Sequence, residues 1–600
     1  KAETASRKIK PVLSLVNRLN NNKADIEAGL SLVENVQIYA LRASDAEKTL
    51  NGSVESTGVT KYLTTLIQLK TLLKEMKSNV GQFKGVLVNF QNSIEKAEYT
   101  LVSHFKKLVS KYSSPVDITS TNMDQINTQI GTTAIKDLTL ILDYFHSANP
   151  EDPTLDKIYT VSRGEFLLKT MNLIDMLAIP PKKVNKNAPY EKGSTKFHDY
   201  TDKVIRLLDA EAALLASMNE RIVGKKIDES EYLFEIFAKP INETYSEKIS
   251  SMIRYVEQNL TTDGLLSLEL IGPLKRTERA LYRLISHTGV TSHFKNFFTV
   301  FGQLKKLCQL LFMDLLAFTE KRISNMDKLP NDNGVSEVTV DLMLRVRKIL
   351  EFRENCVDVI EGMKLGSWMM QSPPLRSVTV FSSVIQGENA PDDYDPKHLL
   401  SSYFSDCIDC ITINLELLTR SGELKIPKKS VQGYFLMTNL TLIEQIINRL
   451  ADLHKLLGTV GLERLSKLKK RFLVLFLDDW NYASYIIIRD MTSITATAAI
   501  TQGTSGLLKA HTPTSKEKEQ IKLLFKTFNE LFEDAISNYK NFNINDQNLR
   551  QYLANEIKKL IMNTYFKLYD KYGTTDFTKN KSKYVKYDKK LFEDLLNRTL

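Results

Sequence analysis

Apolar side chains recur every three or four residues along most of this 600-residue chain. This spacing lines one face of an α-helix, whereas a half-buried strand alternates apolar and polar residues. Glycine and proline, which form most turns, are scarce: 24 Gly and 16 Pro are about 7% of the chain, against roughly 12% in an average protein. The sequence therefore predicts an all-α fold. Because 600 residues exceed what one core supports, we expect an elongated rod of helical bundles stacked end to end.

Breaks in the helical pattern predict four domains. The clearest breaks are the proline-containing stretch 179–197, the turn from Pro330 to Gly334 and the Thr/Gly/Ser linker 499–513. The predicted domains are an N-terminal bundle of long helices at 1–165, a second bundle at 166–330, a third at 331–490 and a basic C-terminal bundle at 491–600. Only 376–385 has the composition of a short strand. Helices are predicted at 5–50, 58–113, 134–146, 160–178, 298–325, 337–363, 397–419, 431–457 and 461–490, and across 200–297 with interruptions near Gly224, Gly264 and Gly272-Pro273.

Three amphipathic helices are predicted in the last eighty or so residues. The first spans 516–540, and Thr514 with Glu517 three residues later predicts a capping box at its start. The second is predicted to begin at Asp546 and to stop at Gly573, where a left-handed backbone is cheap. The third is predicted to run from an Asp588 cap to the C-terminus.

A cluster of lysines lies between the last two of these helices. From Phe577 to Lys590, six lysines stand against only Asp588, so this segment carries a net charge of +5, half of the chain's +10. Crowded like charges repel one another, and an anionic partner would relieve that repulsion; a solvated loop without a partner is the alternative. The candidate binding residues are Lys579, Lys581, Lys583, Lys586, Lys589 and Lys590, with Lys571 just upstream.

Two kinds of anionic partner suit this cluster. A membrane that contains phosphoinositide or phosphatidylserine attracts each nearby lysine by about 1 kcal/mol, enough in sum for reversible recruitment. Nucleic acid or an acidic protein is the alternative, because Tyr584 and Tyr587 stand among the lysines and could stack on bases. Arginine, the better reader of bases, is absent from the cluster. Its absence favours lipid headgroups, and we expect no nucleic acid partner.

Motifs for catalysis are absent from the sequence. It contains no G-x-x-x-x-G-K-[ST], no G-x-G-x-x-G and no H-E-x-x-H, and its eight histidines are scattered. The lone C-x-x-C at Cys407 and Cys410 lacks a second pair for zinc and lies among apolar residues, so we expect core side chains. Four cysteines in so long a chain indicate a reducing, cytosolic setting. We predict no enzymatic activity, no cofactor and no metal, and the apolar runs are too short to span a membrane.

Other basic groups are interpreted as solvent-exposed. Two lie on predicted helices and one lies in 179–197. Their members are Arg464, Lys467, Lys469, Lys470 and Arg471 in the first, Lys275, Arg276, Arg279 and Arg283 in the second, and Lys182, Lys183, Lys186, Lys192 and Lys196 in the third. The chain starts at Lys1 rather than at methionine, from which we expect that an N-terminal segment is missing.

Seven short stretches share the residue order of one known family. The C-terminal third contains K-T-F-N-E-L-F-E at 526–533, N-D-Q-N-L-R at 545–550, Y-F-K-L-Y-D-K-Y at 565–572 and K-Y-V-K-Y at 583–587. Upstream are S-R-G-E-F-L-L at 162–168, N-A-P-Y-E-K-G-S at 187–194 and Y-F-L-M-T-N-L at 434–440. Together they resemble the 70 kDa subunit of the exocyst, in a fungal form. The exocyst tethers secretory vesicles to the plasma membrane.

The resemblance implies a rod of stacked helical bundles, usually in four domains, without enzymatic activity. It implies binding of phosphatidylinositol 4,5-bisphosphate through the segment that holds Lys579, Lys581, Lys583 and Lys586. Rho-family GTPases that direct cell polarity and the other exocyst subunits are the implied partners. The protein is then expected in the cytoplasm and, peripherally bound, at the inner face of the plasma membrane at sites of polarised growth, the bud tip and bud neck of a budding fungus. Part or all of the family's N-terminal coiled-coil segment, used in complex assembly, would lie before Lys1.

Overall fold

The computed structural model describes residues 1–79, 81, 83–118, 130–174, 188, 190–286, 289–332, 334–378, 395–501 and 513–600. These residues form helices and connecting turns without any strand, which confirms the predicted all-α class. They divide into two compact units. Unit 1 comprises Lys1–Lys182, Gly193–Tyr255 and Gly272–Gln303, and unit 2 comprises Lys183–Lys192, Val256–Ile271 and Leu304–Leu600. The finer division into four domains stays a prediction.

Up to residue 324 the described residues form thirteen helices, and a π-helical turn at Pro240–Tyr245 joins the eighth to the ninth. They are α1 (Ala2–Leu50), α2 (Val54–Thr57), α3 (Val59–Asn79), α4 (Lys84–Lys111), α5 (Thr132–Ala148), α6 (Thr154–Leu173), α7 (Phe197–Arg221), α8 (Glu229–Lys239), α9 (Ser246–Gln258), α10 (Leu260–Asp263), α11 (Leu265–Leu284), α12 (Val290–His293) and α13 (Lys295–Ser324).

In the described part of the chain after residue 324, ten further helices follow, with a 3₁₀ turn at Ser367–Met369 and a π-helical turn at Tyr569–Gly573. They are α14 (Glu337–Leu350), α15 (Arg353–Ile360), α16 (Pro396–Arg420), α17 (Lys429–Arg449), α18 (Ala451–Phe476), α19 (Asp478–Thr501), α20 (Ser515–Lys540), α21 (Gln547–Leu568), α22 (Lys581–Tyr584) and α23 (Lys589–Thr599). None of the described helices is long and apolar enough to cross a membrane.

Unit 1 is held together by helix packing and by a buried ion pair. Helix α3 packs against α1, α4 and α5, and the Tyr62 hydroxyl at its start donates a 3.0 Å hydrogen bond to the Leu50 carbonyl. Between α6 and α7, the Arg163 guanidinium donates to the Glu211 carboxylate from Nε, at 2.9 and 3.0 Å, and from Nη2, at 2.5 Å. Its Nη1 donates a 2.7 Å hydrogen bond to the Tyr112 carbonyl. Both charged side chains are buried.

Unit 2 is built around α16, which is buried on nearly all sides from Leu399 to Thr419. Helices α14, α15, α17 and α18 pack against it. Helices α17 and α18 approach each other so closely that a Cβ atom on Gly433 would lie 2.1 Å from the Phe476 nitrogen. Glycine at this position therefore allows two helix backbones to meet.

The C-terminal part of unit 2 is a small bundle of α19, α20, α21 and α23. Its predicted helix starts are confirmed: Thr514 accepts from the Glu517 amide while the Glu517 carboxylate accepts from the Thr514 amide, which completes the capping box. Asp546 and Asp588 cap α21 and α23, each accepting a 2.7 Å hydrogen bond from the amide three residues later. These caps satisfy amides that would otherwise lack partners.

Several predicted helix boundaries were wrong. The stretch 58–113 is two helices, α3 and α4. Gly272-Pro273 lies inside α11 rather than between helices, because burial of the surrounding apolar residues outweighs the roughly 3 kcal/mol that an interior proline costs. The predicted helix 431–457 ends at Arg449, and Gly458, with φ of 60°, kinks α18. The possible strand at 376–385 lies outside the described residues after Val378.

Candidate functional site

The lysine-rich segment of 574–588 is fixed to the C-terminal bundle by its aromatic residues. Phe577 is buried, and its ring stacks on Phe525 of α20 with centroids 5.6 Å apart. The Asn529 side-chain amide donates a 2.7 Å hydrogen bond to the Tyr584 carbonyl. Because these anchors lie near both ends of the lysine run, the segment follows the bundle surface and its charged side chains project from a defined backbone.

A second set of contacts fixes the segment where it enters α23. The Tyr565 hydroxyl donates a 2.6 Å hydrogen bond to the Tyr587 carbonyl. The Phe592 ring is fully buried between Tyr565 and Phe532, with centroids 4.1 and 4.6 Å away. Burial raises the pKa of Tyr565, and neighbouring Tyr569 and Tyr587 raise it further, so its hydroxyl stays a neutral donor. The aromatic residues of the predicted cluster thus serve mainly to hold the lysines in place.

We call the seven predicted lysines, Lys571, Lys579, Lys581, Lys583, Lys586, Lys589 and Lys590, the lysine surface. Three of them are paired with carboxylates. Lys586 Nζ lies 2.7 Å from Glu533 Oε1, Lys589 pairs with Asp570, and Lys581 Nζ lies 3.8 Å from Asp576 Oδ1. The lysine ammonium of the first pair lowers the pKa of Glu533, which keeps that carboxylate charged.

The other four lysines have no carboxylate within 4 Å in the described part of the chain. Lys571 donates a 2.6 Å hydrogen bond to the Thr495 hydroxyl of α19. Lys583 lies beside the Tyr584 ring, with its Nζ 5.9 Å from the centroid. Lys579 and Lys590 are exposed. These four ammonium groups give the lysine surface an uncompensated positive charge.

Sequence reasoning did not find the acids that face the lysine surface. Glu533 lies on α20 and Asp570 follows α21, so both are distant from their lysine partners in the chain. Glu533 ends the K-T-F-N-E-L-F-E stretch on which the family resemblance rests, so its segment stands out in the sequence. Nothing in the sequence, however, places Glu533 opposite Lys586. The described residues contain no group of three or more side chains suited to a metal ion.

The two tyrosines of the cluster are poorly placed to stack on nucleic acid bases. The Tyr587 ring packs edge-on against Phe532 at 5.6 Å, and its hydroxyl donates a 3.0 Å hydrogen bond to Glu533 Oε1. The Tyr584 ring packs edge-on against Phe577 at 6.3 Å, and both tyrosines are only partly exposed. An open aromatic face is what base stacking requires.

The prediction that Arg464 to Arg471 form a solvent-exposed face was wrong in part. Arg464 has a side chain only 15% exposed, and it donates to both Asp406 and Asp409 of α16, with Nε 2.8 Å from Asp409 Oδ2. Arg471 pairs with the buried Glu416, and Lys469 Nζ lies 2.7 Å from Glu444. Lys467 and Lys470 are exposed as predicted. Buried carboxylates on α16 need cations, and α18 supplies them.

The second basic group is only partly solvent-facing. Arg279 and Arg283 are exposed, but Lys275 and Arg276 are half-buried, and Arg276 Nη2 lies 3.1 Å from Asp202. In the third group Lys182, Lys183 and Lys186 lie outside the described residues, while the Lys192 ammonium donates a 2.7 Å hydrogen bond to the Glu351 carbonyl.

The four cysteines are buried and unpaired with one another, as the core interpretation of Cys407 and Cys410 predicted. Burial raises the pKa of Cys308 to about 12 and raises those of Cys356, Cys407 and Cys410 as well. A thiol must lose its proton to act as a nucleophile or a metal ligand. These side chains therefore contribute packing.

Comparisons with known proteins agree on one family. The family model for the C-terminal part of the Exo70 exocyst complex subunit matches residues 194–598, and the model for the N-terminal part of the exocyst complex component Exo70 matches residues 9–111. The exocyst complex protein EXO70 of Candida albicans is 36% identical, with the alignment covering all of this chain and 94% of that protein. The Saccharomyces cerevisiae exocyst complex component EXO70 is 27% identical, over 99% of this chain and 93% of that protein.

Solved structures give the same answer. A structure of S. cerevisiae Exo70 has a TM-score of 0.74 at 25% identity and covers 94% of this chain and 98% of that one. A second structure, of exocyst subunit Exo70p, has a TM-score of 0.71 at 25% identity and covers the same fractions of the two chains. From the family match over two thirds of its length and the relative that matches its whole length, the chain belongs to the Exo70 family of exocyst complex subunits.

Proposed function

We propose that this exocyst subunit attaches its complex to the plasma membrane by binding phosphatidylinositol 4,5-bisphosphate through the lysine surface, and so helps to tether secretory vesicles before fusion. The observation that carries the proposal is that Lys571, Lys579, Lys583 and Lys590 have no carboxylate partner in the described chain, on a backbone held by buried aromatic rings. Because the backbone is already fixed, the segment does not have to be ordered when its lysines meet a charged surface.

Electrostatics sets the strength of this attachment. A lysine close to an anionic leaflet is worth about 1 kcal/mol, so four uncompensated lysines supply about 4 kcal/mol. The attraction falls off within a Debye length of about 8 Å at physiological salt. Lys581, Lys586 and Lys589 contribute less, because each must exchange a carboxylate for a lipid phosphate. The sum supports reversible recruitment rather than permanent anchoring.

The remaining parts of the proposal concern partners and location. Other exocyst subunits are partners of a member of this family. Helix α1 supports assembly with them, because in 49 residues it buries only Ala43 and Leu50 and exposes apolar side chains such as Leu13, Leu19 and Leu30. We propose Rho-family GTPases that direct cell polarity as further partners. Their binding, together with the lipid, would place the protein at the inner face of the plasma membrane at the bud tip and bud neck.

Vesicle flotation tests the lipid contact. The Lys579→Ala/Lys583→Ala/Lys590→Ala variant should bind vesicles containing phosphatidylinositol 4,5-bisphosphate about a hundredfold more weakly than the wild type, since three lysines at about 1 kcal/mol each are lost. The matched control removes three exposed lysines of α18, in Lys455→Ala/Lys467→Ala/Lys470→Ala, and should bind like the wild type. Both should keep the wild-type Tm, because exposed charges contribute little to stability.

Two outcomes would contradict the proposal. If the wild type does not float with the anionic vesicles, the membrane attachment through lipid is refuted for this chain. If the two triple variants lose binding equally, general positive charge rather than the lysine surface holds the protein on the membrane. Neutral phosphatidylcholine vesicles serve as the baseline for all three proteins.

A further inference from the structure

One face of α19 exposes large apolar side chains next to the lysine surface. Tyr482, Tyr485 and Ile488 are 53, 54 and 57% exposed. They are spaced three residues apart, so they lie on neighbouring positions of the same helix surface. The residues between them, Ala483, Ser484, Ile486 and Ile487, are buried against the bundle. We call Tyr482, Tyr485 and Ile488 the apolar face.

This region of α19 is almost free of charge. In 481–498 the only charged residues are Arg489 and Asp490, whereas a quarter of the whole chain is charged. Those two pair with each other, with Arg489 Nε 2.7 Å from Asp490 Oδ1, and the Arg489 guanidinium lies 5.7 Å from the Tyr485 ring. Contiguous exposed apolar surface with few charges is typical of an interaction site.

The apolar face lies on the same side of α19 as Thr495, which contacts Lys571 of the lysine surface. Ile488 and Thr495 are seven residues apart, which places them on one side of α19 two turns from each other. The Thr495 hydroxyl accepts the 2.6 Å hydrogen bond from Lys571, and the residue before Lys571, Asp570, pairs with Lys589. A surface that contacts Lys571 and Lys589 therefore also comes close to α19.

We propose that the apolar face enters the headgroup region of the same anionic membrane, with the tyrosine rings at headgroup level and Ile488 directed toward the acyl chains. This inference rests on the proposed function and adds the hydrophobic half of the contact. A lipid bilayer is the partner that fits both the apolar face and the lysine surface. Tyrosine side chains favour the membrane interface, and helices that lie in this interface carry an apolar face beside lysines. The apolar contact gives binding that salt does not screen.

A tryptophan reporter measures the insertion directly. Both native tryptophans, Trp368 and Trp480, are buried, so Ile488→Trp adds the one exposed indole. Its emission should shift to shorter wavelength on addition of vesicles of phosphatidylcholine, phosphatidylserine and phosphatidylinositol 4,5-bisphosphate, and brominated acyl chains should quench it. Val460→Trp, at an apolar position of α18 that is 64% exposed, should show neither change.

A second pair of variants measures the contribution to binding. Tyr485→Ser/Ile488→Ser should bind these vesicles about tenfold more weakly, since two half-exposed apolar side chains no longer leave water. Tyr99→Ser/Val460→Ser removes exposed apolar side chains elsewhere and should bind like the wild type.

The failures of the two proposals can be told apart. Wild-type binding with no spectral change for Ile488→Trp and no loss for the serine variant overturns this inference and leaves the lysine contact intact. Absence of wild-type binding to the anionic vesicles overturns both.

Discussion

Replacing Asp409 with asparagine should stabilise unit 2 more at pH 7.5 than at pH 5.0. The Asp409 carboxylate is buried on α16 and shares the single guanidinium of Arg464 with the fully buried Asp406, whose Oδ2 accepts a 2.8 Å hydrogen bond from Trp368 Nε1. Besides Arg464, Arg471 of α18 also acts electrostatically on Asp409, but burial outweighs both cations. Burial raises the pKa of Asp409 from 3.8 to about 6; Arg464 opposes that rise and Asp406 adds to it.

The magnitude follows from the difference in pKa between the folded and unfolded chain. Because the folded pKa is the higher one, the stability that Asp409 contributes is present below about pH 4 and is lost as the pH rises through 6. At pH 7.5 the two-unit shift corresponds to about 3 kcal/mol of destabilisation, and at pH 5.0 to about 1.6 kcal/mol. Asparagine does not titrate, so the variant should gain about 1.4 kcal/mol on the wild type between the two pH values.

Urea unfolding followed by tryptophan emission measures this difference. Both tryptophans are buried in unit 2, so their emission reports on that unit. The Asp409→Asn exchange also changes the free energy of unfolding by an amount that does not depend on pH, because an amide replaces a carboxylate oxygen. This amount cancels when the values at the two pH values are subtracted. Asp576→Asn, at a fully exposed carboxylate of the same unit, is the control and should give equal differences at both pH values. An Asp409→Asn difference that is constant, or larger at pH 5.0, would refute the reasoning.

Two further substitutions test packing. Arg163→Met should destabilise unit 1 by about 3–5 kcal/mol because it leaves the buried Glu211 carboxylate without its cation. Adding Glu211→Leu should recover most of this loss, as measured by hydrogen exchange in α6. A double variant as unstable as the single one would contradict the explanation. Gly433→Ala should destabilise unit 2 by about 3 kcal/mol, since its methyl group would overlap the Phe476 backbone; an unchanged urea midpoint would show that α17 and α18 separate freely.

The helices and their starts could be predicted because their signals are local. Apolar periodicity and cap chemistry act over a few residues, so the sequence alone predicts the caps at Thr514, Asp546 and Asp588. The prediction of no enzymatic activity is confirmed by the family, because Exo70 exocyst subunits are scaffold proteins and not enzymes. Interior boundaries such as Pro273 were missed because burial from distant elements overrides local propensity.

The lysines of the candidate site were equally visible, but their partners were not. A run of like charges is a property of the segment alone, whereas the pairing of Lys586 with Glu533 or of Lys589 with Asp570 depends on how the bundle packs. Those pairings divide the seven lysines into three compensated and four uncompensated side chains. Composition gives the charge of each lysine but not its partner, so the sequence alone could not make this division.

The basic stretch of α18 shows why a polar helix face cannot be equated with solvent. Periodicity places Arg464 and Arg471 off the apolar stripe of their own helix, and for an isolated amphipathic helix that means exposure. Helix α16, however, is buried almost all round and carries Asp406, Asp409 and Glu416 among its apolar residues. A carboxylate in such a helix requires a cation from a neighbour. A buried row of ion pairs therefore has a sequence signal in two parts. Acidic residues lie within an apolar run, and basic residues at helical spacing follow fifty-odd positions later. Either part alone indicates only solvent-exposed side chains.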